Sequence, residues 1–252
     1  MENEQYVAVP CGKCPACKKR RASGWSFRLM QQEKQSVSAH FITLTYATEN
    51  LPFTARGLKT LDIGDLQKFF KRLRKAHGPN SVPLKYYAVG EYGTNTNRPH
   101  YHIILFNAEL PLIQPAWDKG AVHYGTVTGA SVGYCLKYIS KDNHKWYGDN
   151  DDRAPEFACM SKGLGLNYIN DKTLKWHKDN LDERMFLPML DGVKACMPRY
   201  YKDKIYDELE RESIAFAAYK KNLITPGVRL TDSQIFAQFK KMHDNEKKDR
   251  HL

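Results

Sequence analysis

Residues 84–106, LKYYAVGEYGTNTNRPHYHIILF, hold two apolar, aromatic-rich runs on either side of a polar loop. Leu84–Tyr92 and His100–Phe106 read as strands, and Gly93–Pro99 supplies the turn residues that fold them into a hairpin. Side chains alternate along a strand, so His100 and His102 share one face while Tyr101 goes to the other. Folding the hairpin back carries Glu91 towards the two imidazoles. A His-His-Glu set with open positions suits Mg²⁺ or Mn²⁺ acting as a Lewis acid on phosphate. The competing use of Glu91 is an ion pair with Arg98.

Working outward, His40–Tyr46 (HFITLTY) is a β-branched and aromatic run with period-two alternation, hence a strand. Asp62 then precedes Ile63, Leu66, Phe69, Phe70 and Leu73 at helical spacing, and Gly78-Pro79 ends that helix. Asp62 with Asp65 reads as a capping box made of carboxylates. Val122–Thr128 is a third strand of the group, and Ser131 is placed to cap a helix over residues 132–141. Beyond an acidic loop and a turn-rich stretch around Gly163 and Gly165, two amphipathic helices are expected, near 205–221 and 232–246. Strands alternate with helices and no Gly-rich dinucleotide turn is present, so the fold class is α+β, an antiparallel sheet with helical cover.

The helix expected at 132–141 carries Tyr134-Cys-Leu-Lys137-Tyr138-Ile-Ser-Lys141. Positions four apart share a helix face, so Tyr134 and Tyr138 stack one turn apart, each followed three residues later by a lysine. Such tyrosines either fill a core or act. A phenol is a good covalent nucleophile towards phosphate, and a nearby ammonium favours its phenolate.

Near the start, Cys11-Gly-Lys-Cys14-Pro-Ala-Cys17 spaces three thiols by two residues. Three readings stay open: a zinc knuckle, an iron–sulfur site, or reduced cysteines in a basic turn. Cys196, Cys159 or His40 would supply a fourth ligand. Cys135 and Cys159 otherwise read as small buried residues. Residues 13–34, a strand or helix, concentrate positive charge, with Trp25, Phe27, Leu29 and Met30 interleaved for a core-facing side.

The 252 residues carry 39 Lys+Arg against 28 Asp+Glu, a formal charge of +11. That surplus favours a polyanionic partner, because neutralising phosphates releases condensed counterions. The first twenty residues are polar and charged, unlike a secretory signal. No run approaches the ~18 apolar residues of a membrane span, so secreted and membrane classes are not expected. A 42% hydrophobic content is enough for a proper core rather than a disordered basic tail.

HFITLTY, RPHYH (98–102) and YCLKYISK (134–141), in that order, resemble motifs one to three of the HUH endonucleases that initiate rolling-circle replication. The closer resemblance is to the replication initiators of microviruses, especially gokushovirus-like single-stranded-DNA bacteriophages. It rests on VPCGKCPACKKRR (9–21), GEYGTNTNRPHYHIILF (90–106), YCLKYISK (134–141) and PRYYKDK (198–204). The resemblance implies an RRM/ferredoxin-like HUH architecture over residues 1–204, with a helical extension over 205–252. It implies His100 and His102 as metal ligands, Glu91 as the third, and Tyr134 and Tyr138 as alternating nucleophiles, with Lys137 and Lys141 steadying phenolate or phosphate.

The implied reaction nicks and rejoins single-stranded origin DNA through a 5′-phosphotyrosine link, leaving a 3′-OH primer. It would take place in the bacterial host cytoplasm. No G-x-x-x-x-G-K-[ST] run is present, so unwinding and synthesis would fall to a host helicase and polymerase. Backbone contacts are expected from Lys18, Lys19, Arg20 and Arg21, from Lys68, Lys71, Arg72, Arg74 and Lys75, and from Arg98. Three alternatives fit parts of the pattern: a single-stranded-DNA transposase, a non-catalytic nucleic-acid-binding module, and a structural zinc protein.

Overall fold

The computed structural model describes residues 11–79, 81–140, 150–189 and 192–224, with positions 233, 237 and 240. The chain divides into two compact units, residues 25–168 and residues 1–24 with 169–252. The segment read as strand or helix is helix α1 (Pro15–Gln35), which starts in the second unit and ends in the first.

In the unit 25–168, the expected strands form as β1 (Ala39–Tyr46), β2 (Lys85–Tyr92), β3 (Pro99–Phe106) and β4 (Gly120–Thr126). A further strand, β5 (Phe157–Met160), had no clear signal in the sequence. All five make one antiparallel sheet in the order β4-β1-β3-β2-β5. β1 and β2 both run opposite to β3, so helix α2 (Ile63–His77) is the crossover joining two parallel strands around it. With helix α3 (Leu110–Ala116) leading into β4, the order β-α-β-β-α-β is the split βαβ plan of ferredoxin-like folds.

Alternation decides what each sheet face holds. Ile42 pairs with Ile103 and Leu44 with Tyr101 across β1 and β3, and Ala88 pairs with Ile103 across β2 and β3. These side chains face α2, whose Leu66, Phe69, Phe70 and Leu73 are buried against them, with Ile113 and Trp117 completing the core. Each such side chain contributes about 1.5–3 kcal/mol by leaving water. The opposite face carries Thr43, Glu91, His100 and His102.

Local chemistry explains the element ends. Asp62 Oδ1 accepts from the backbone N–H groups of Gly64 (2.7 Å) and Asp65 (3.4 Å), capping α2 as expected. Asp65 does not close a capping box. Its buried carboxylate accepts instead from Tyr46 Oη and faces Lys68 and Lys119, while the Asp62 N–H donates to Tyr101 Oη. Gly78 ends the helix at φ +81°, a conformation that favours glycine. β4 starts two residues before its expected position, because Gly120 lies so close to the β1 backbone at Thr45 that no Cβ fits.

Helix α4 (Gly129–Ser140) also starts early. Thr128, not Ser131, is its cap: Thr128 Oγ1 accepts from the Ser131 N–H, and Ser131 Oγ accepts from the Thr128 N–H.

The second unit holds the first half of α1, helix α5 (Asp171–Lys178), the β6 (Phe186–Pro188) and β7 (Lys194–Cys196) ribbon, and helices α6 (Arg199–Ile205) and α7 (Glu208–Ile224). A reciprocal Asn170–Thr173 cap starts α5. His177 is fully buried on it, with Nδ1 2.7 Å from the Arg184 carbonyl. The single helix expected at 205–221 is broken at Tyr206-Asp207. Asp207 and Glu210 exchange backbone-to-carboxylate bonds of 2.9 Å there, which starts α7 afresh. The helix expected at 232–246 lies outside the described residues, apart from positions 233, 237 and 240.

Candidate metal centre

The β2–β3 register sets Glu91 directly opposite His100, with His102 two residues further along the same face. Both imidazoles reach one atom. His100 Nε2 is 2.7 Å and His102 Nε2 2.8 Å from Glu91 Oε1. Glu91 is only 3% exposed, so its charge is held by partners rather than by water. Arg98 is not among them, contrary to the alternative ion pair. Its guanidinium donates to the Tyr46 carbonyl at 2.7 Å and reaches Thr48 Oγ1.

The far side of each ring is fixed too. His100 Nδ1 lies 3.1 Å from the Arg98 carbonyl, which can only accept, so Nδ1 carries the hydrogen and Nε2 is the atom offered inward. His102 Nδ1 lies 2.9 Å from Thr43 Oγ1, its direct cross-strand neighbour. Phe41 stacks flat on the same ring, with centroids 5.6 Å apart and planes at 5°. Thr43 and Phe41 were missed from the sequence. The alternation of HFITLTY places both on one face, but only the pairing of β1 with β3 aims that face at His102.

Helix α4 lies over β3, β2 and β5 and buries Val132, Cys135 and Leu136. Tyr134 is 40% exposed, and its hydroxyl donates to Glu91 Oε1 at 2.7 Å. Its ring stands edge-on to His102 at 4.9 Å. Three hydrogen-bonding groups thus converge on one carboxylate oxygen.

The ionisation of the cluster follows from that convergence. Burial works to raise the pKa of Glu91, but the bonds from His100, His102 and Tyr134 prevail and lower it to about 2. Burial works to lower His100, but the Glu91 carboxylate and the Arg98 carbonyl prevail and raise it. The Tyr134 phenol is pushed up by burial, then by the bond to Glu91 and by its charge. Burial, with the Glu91 charge, also holds the Cys135 thiol up at about 12, which keeps it an inert packing group.

The donor set fits a divalent cation. One atom from each of Glu91, His100 and His102 lies within 4.8 Å of the others. Two imidazoles held by their second nitrogens and one anionic oxygen match a site that leaves positions for substrate.

Other expected residues fall variously. Lys137 is exposed on α4, and Tyr138 lies one turn beyond Tyr134 on the same helix. The Tyr138 side chain and Lys141 lie outside the described residues. The basic helix α2 packs on the sheet face opposite to the cluster. On it, Lys68 sits beside Asp65, and Arg72 binds the Ala116 carbonyl and Asp118. Arg74 lies over the rings of Phe70 and Tyr86, while Lys71 and Lys75 are exposed. On α1, Lys19, Arg20 and Arg21 are exposed and Lys18 is half-buried.

Cys11, Cys14 and Cys17 form a second group with sulfurs within 4.8 Å of one another. The backbone N–H groups of Cys14 and Lys13 lower the Cys11 thiol to about 7. Cys14 is lowered by the Cys17 N–H, but sharing with the Cys11 and Cys17 sulfurs prevails and raises it. None of the three suggested fourth ligands joins the group. Cys159 sits on β5 with its thiol pushed up by burial to about 11, His40 faces the Ala108 carbonyl, and Cys196 ends β7.

Residues 39–143, from β1 past the end of α4, match the family of the phage replication-associated protein ORF2. The resemblance to phage replication-associated proteins holds. Over 191 residues the chain is 33% identical to the replication-associated protein ORF2 of Spiroplasma virus 4, covering 65% of this chain and 58% of that protein. It is 29% identical over 220 residues to the replication-associated protein VP4 of Bdellovibrio phage phiMH2K, covering 78% of this chain and 67% of that one. A third relative, the replication-associated protein ORF4 of Chlamydia phage 1, is 23% identical over 256 residues, 59% of its length. The chain therefore spans somewhat under two thirds of the Spiroplasma virus and Chlamydia phage proteins. No solved structure matches it. Among the described residues no helix is long and apolar enough to cross a membrane.

Proposed function

We propose that the chain is a rolling-circle replication initiator that nicks and rejoins single-stranded viral origin DNA. The observation that carries this reading is the meeting of a tyrosine hydroxyl and two histidine nitrogens at one buried carboxylate, Glu91. The kinship with replication-associated proteins supports the biological setting.

Glu91, His100 and His102 would hold Mg²⁺ or Mn²⁺. When bound, the cation supplies Lewis-acid polarisation of a phosphate oxygen. The protein's own residues do the rest. Arg98 and Thr43 hold the two rings so that Nε2 faces inward, and Glu91 keeps the Tyr134 oxygen within 2.7 Å of the ligand set. The Tyr134 phenol is the nucleophile. Its oxygen bonds to phosphorus, the 3′ oxygen leaves and takes a proton, and the phosphodiester energy stays in a 5′-phosphotyrosine link. The free 3′-OH then primes synthesis. Tyr138, one turn on, would cut the regenerated origin, and the released 3′-OH would attack the first link to close a circle. Lys137 and Lys141 would steady phenolate or phosphate.

Strand binding would combine the basic residues of α1 with stacking of bases on aromatics. Helicase and polymerase activity would come from the bacterial host, in whose cytoplasm the chain would act. Residues 1–204 would form the nicking domain and 205–252 a helical extension.

The test is direct. The protein is incubated with single-stranded origin DNA and Mn²⁺ and resolved on a denaturing gel. A covalent protein–DNA adduct is expected, absent with EDTA and abolished by Tyr134→Phe with Tyr138→Phe. An adduct that survives the double substitution would refute the nucleophile assignment. Strand binding with no adduct in the unaltered protein would leave a binding module.

A further inference from the structure

The thiol group at the start of the chain is not used by the reaction above and stands in a different unit from Glu91, His100 and His102. All six cysteines are free thiols. Three of them are folded against one another. Cys14 occupies the capping position of α1, with Pro15 as the first helical residue and the Lys18 N–H donating to the Cys14 carbonyl at 3.0 Å. Cys17 lies three positions on, so it shares the same side of the first turn. Cys11 returns to that side because Gly12 takes φ +73°, a conformation that favours glycine. The Cys14 N–H then donates to Cys11 Sγ at 3.2 Å.

From this arrangement we infer that Cys11, Cys14 and Cys17 bind a structural zinc ion as three thiolates. The geometry suits it. Zinc–sulfur bonds of about 2.3 Å at tetrahedral angles put ligand sulfurs about 3.8 Å apart, and Cys11 Sγ lies 4.0 Å from Cys17 Sγ. The remaining separations are within 4.8 Å, so closure needs side-chain rotation rather than backbone movement. Thiolates prefer zinc to the hard cations that suit the Glu91 group.

On binding, the three thiols pass their protons to solvent and the ion takes their place between the sulfurs. The resulting site carries one net negative charge. It sits at the positive end of the helix dipole, beside Lys13, Lys18 and Lys19 in the sequence, so its charge is compensated locally. Among the described residues no other His, Cys, Asp or Glu joins the group, so the fourth position falls to a lighter external ligand such as water. The ion would close residues 11–17 into a rigid turn directly before the basic run Lys18–Arg21.

The test uses the full chain. Zinc content is measured after purification, and zinc is then exchanged for cobalt(II). One zinc ion per chain is expected, with a near-ultraviolet thiolate-to-cobalt charge-transfer band. Both should be lost in Cys14→Ser with Cys17→Ser and retained in His100→Ala with His102→Ala, which separates this site from the proposed catalytic one. X-ray absorption of the zinc form should show three sulfurs and one lighter atom. Absence of zinc and of the cobalt band from the unaltered chain would overturn the inference, as would iron with acid-labile sulfide or a four-sulfur shell. Those measurements on the unaltered chain decide the matter even if the serine variant does not fold.

Discussion

Thr43→Val isolates what a single cross-strand hydroxyl does for the metal centre. The substitution keeps the branched shape on β1 and removes the oxygen that lies 2.9 Å from His102 Nδ1. When Nε2 offers its lone pair to a cation, Nδ1 carries the hydrogen, and Thr43 Oγ1 is its acceptor. Losing the bond costs roughly 0.5–1.5 kcal/mol directly, and up to about 3 kcal/mol where the orphaned N–H is kept from water. His102 is half-buried beneath Phe41 and beside Tyr134, so the middle of that span, about 1.5–2.5 kcal/mol, is expected. That corresponds to roughly ten- to seventy-fold weaker Mn²⁺ binding, within the range for partners that orient metal ligands. The assay is calorimetric titration of Mn²⁺ into the purified chain, with the Mn²⁺ dependence of adduct formation alongside. Thr43→Ser should restore near-native affinity. Unchanged Mn²⁺ affinity in Thr43→Val, with the fold intact, would refute the claim that Thr43 sets the orientation and tautomer of His102.

Three further outcomes are open to measurement. Glu91 has a folded pKa of about 2 against an ordinary value of 4.5, so its contribution to stability is present above pH 4.5 and is lost as pH falls towards 2. The metal-free protein should therefore lose denaturant resistance between pH 5 and 3 more steeply than Glu91→Gln does, and parallel curves would contradict the assignment. Asp62→Ala removes both bonds that cap α2 and should cost about 1 kcal/mol in chemical denaturation while leaving Mn²⁺ affinity unchanged, because α2 lies on the far sheet face. Replacing Lys19, Arg20 and Arg21 by alanine should weaken single-strand binding and flatten its salt dependence, by about 0.7 per lost phosphate contact in the log–log slope. An unaltered slope would remove α1 from the binding surface.

Most of the sheet was legible because a strand writes its two faces as alternation. Within His100-Tyr-His102 and Ile103-Ile-Leu105 the side chains divide between site and core by position alone. Helix α2 was equally legible, since Asp62 and Gly78 are local signals read within one turn. The misses share a cause. The Thr128–Ser131 cap, the break at Tyr206-Asp207 and the early start of β4 depend on which of several adjacent polar residues wins a hydrogen bond, or on how close a backbone passes. β5 is four residues long, and its partner β2 lies some seventy positions away.

Local periodicity was enough to establish that two histidines share a strand face, that Glu91 ends the strand before them, and that a tyrosine helix follows. Periods of 2.0 and 3.6 residues are properties of the backbone over a few positions. The meeting of both imidazoles and the Tyr134 hydroxyl at one oxygen of Glu91 emerges only when the sheet is assembled. So does the placing of Thr43, rather than Arg98, beside the ligands, and of the basic face of α2 across the sheet from them. Strand order, and the sheet face that each helix covers, are fixed by burial of apolar area over the whole unit, which leaves no trace in any short stretch of chain.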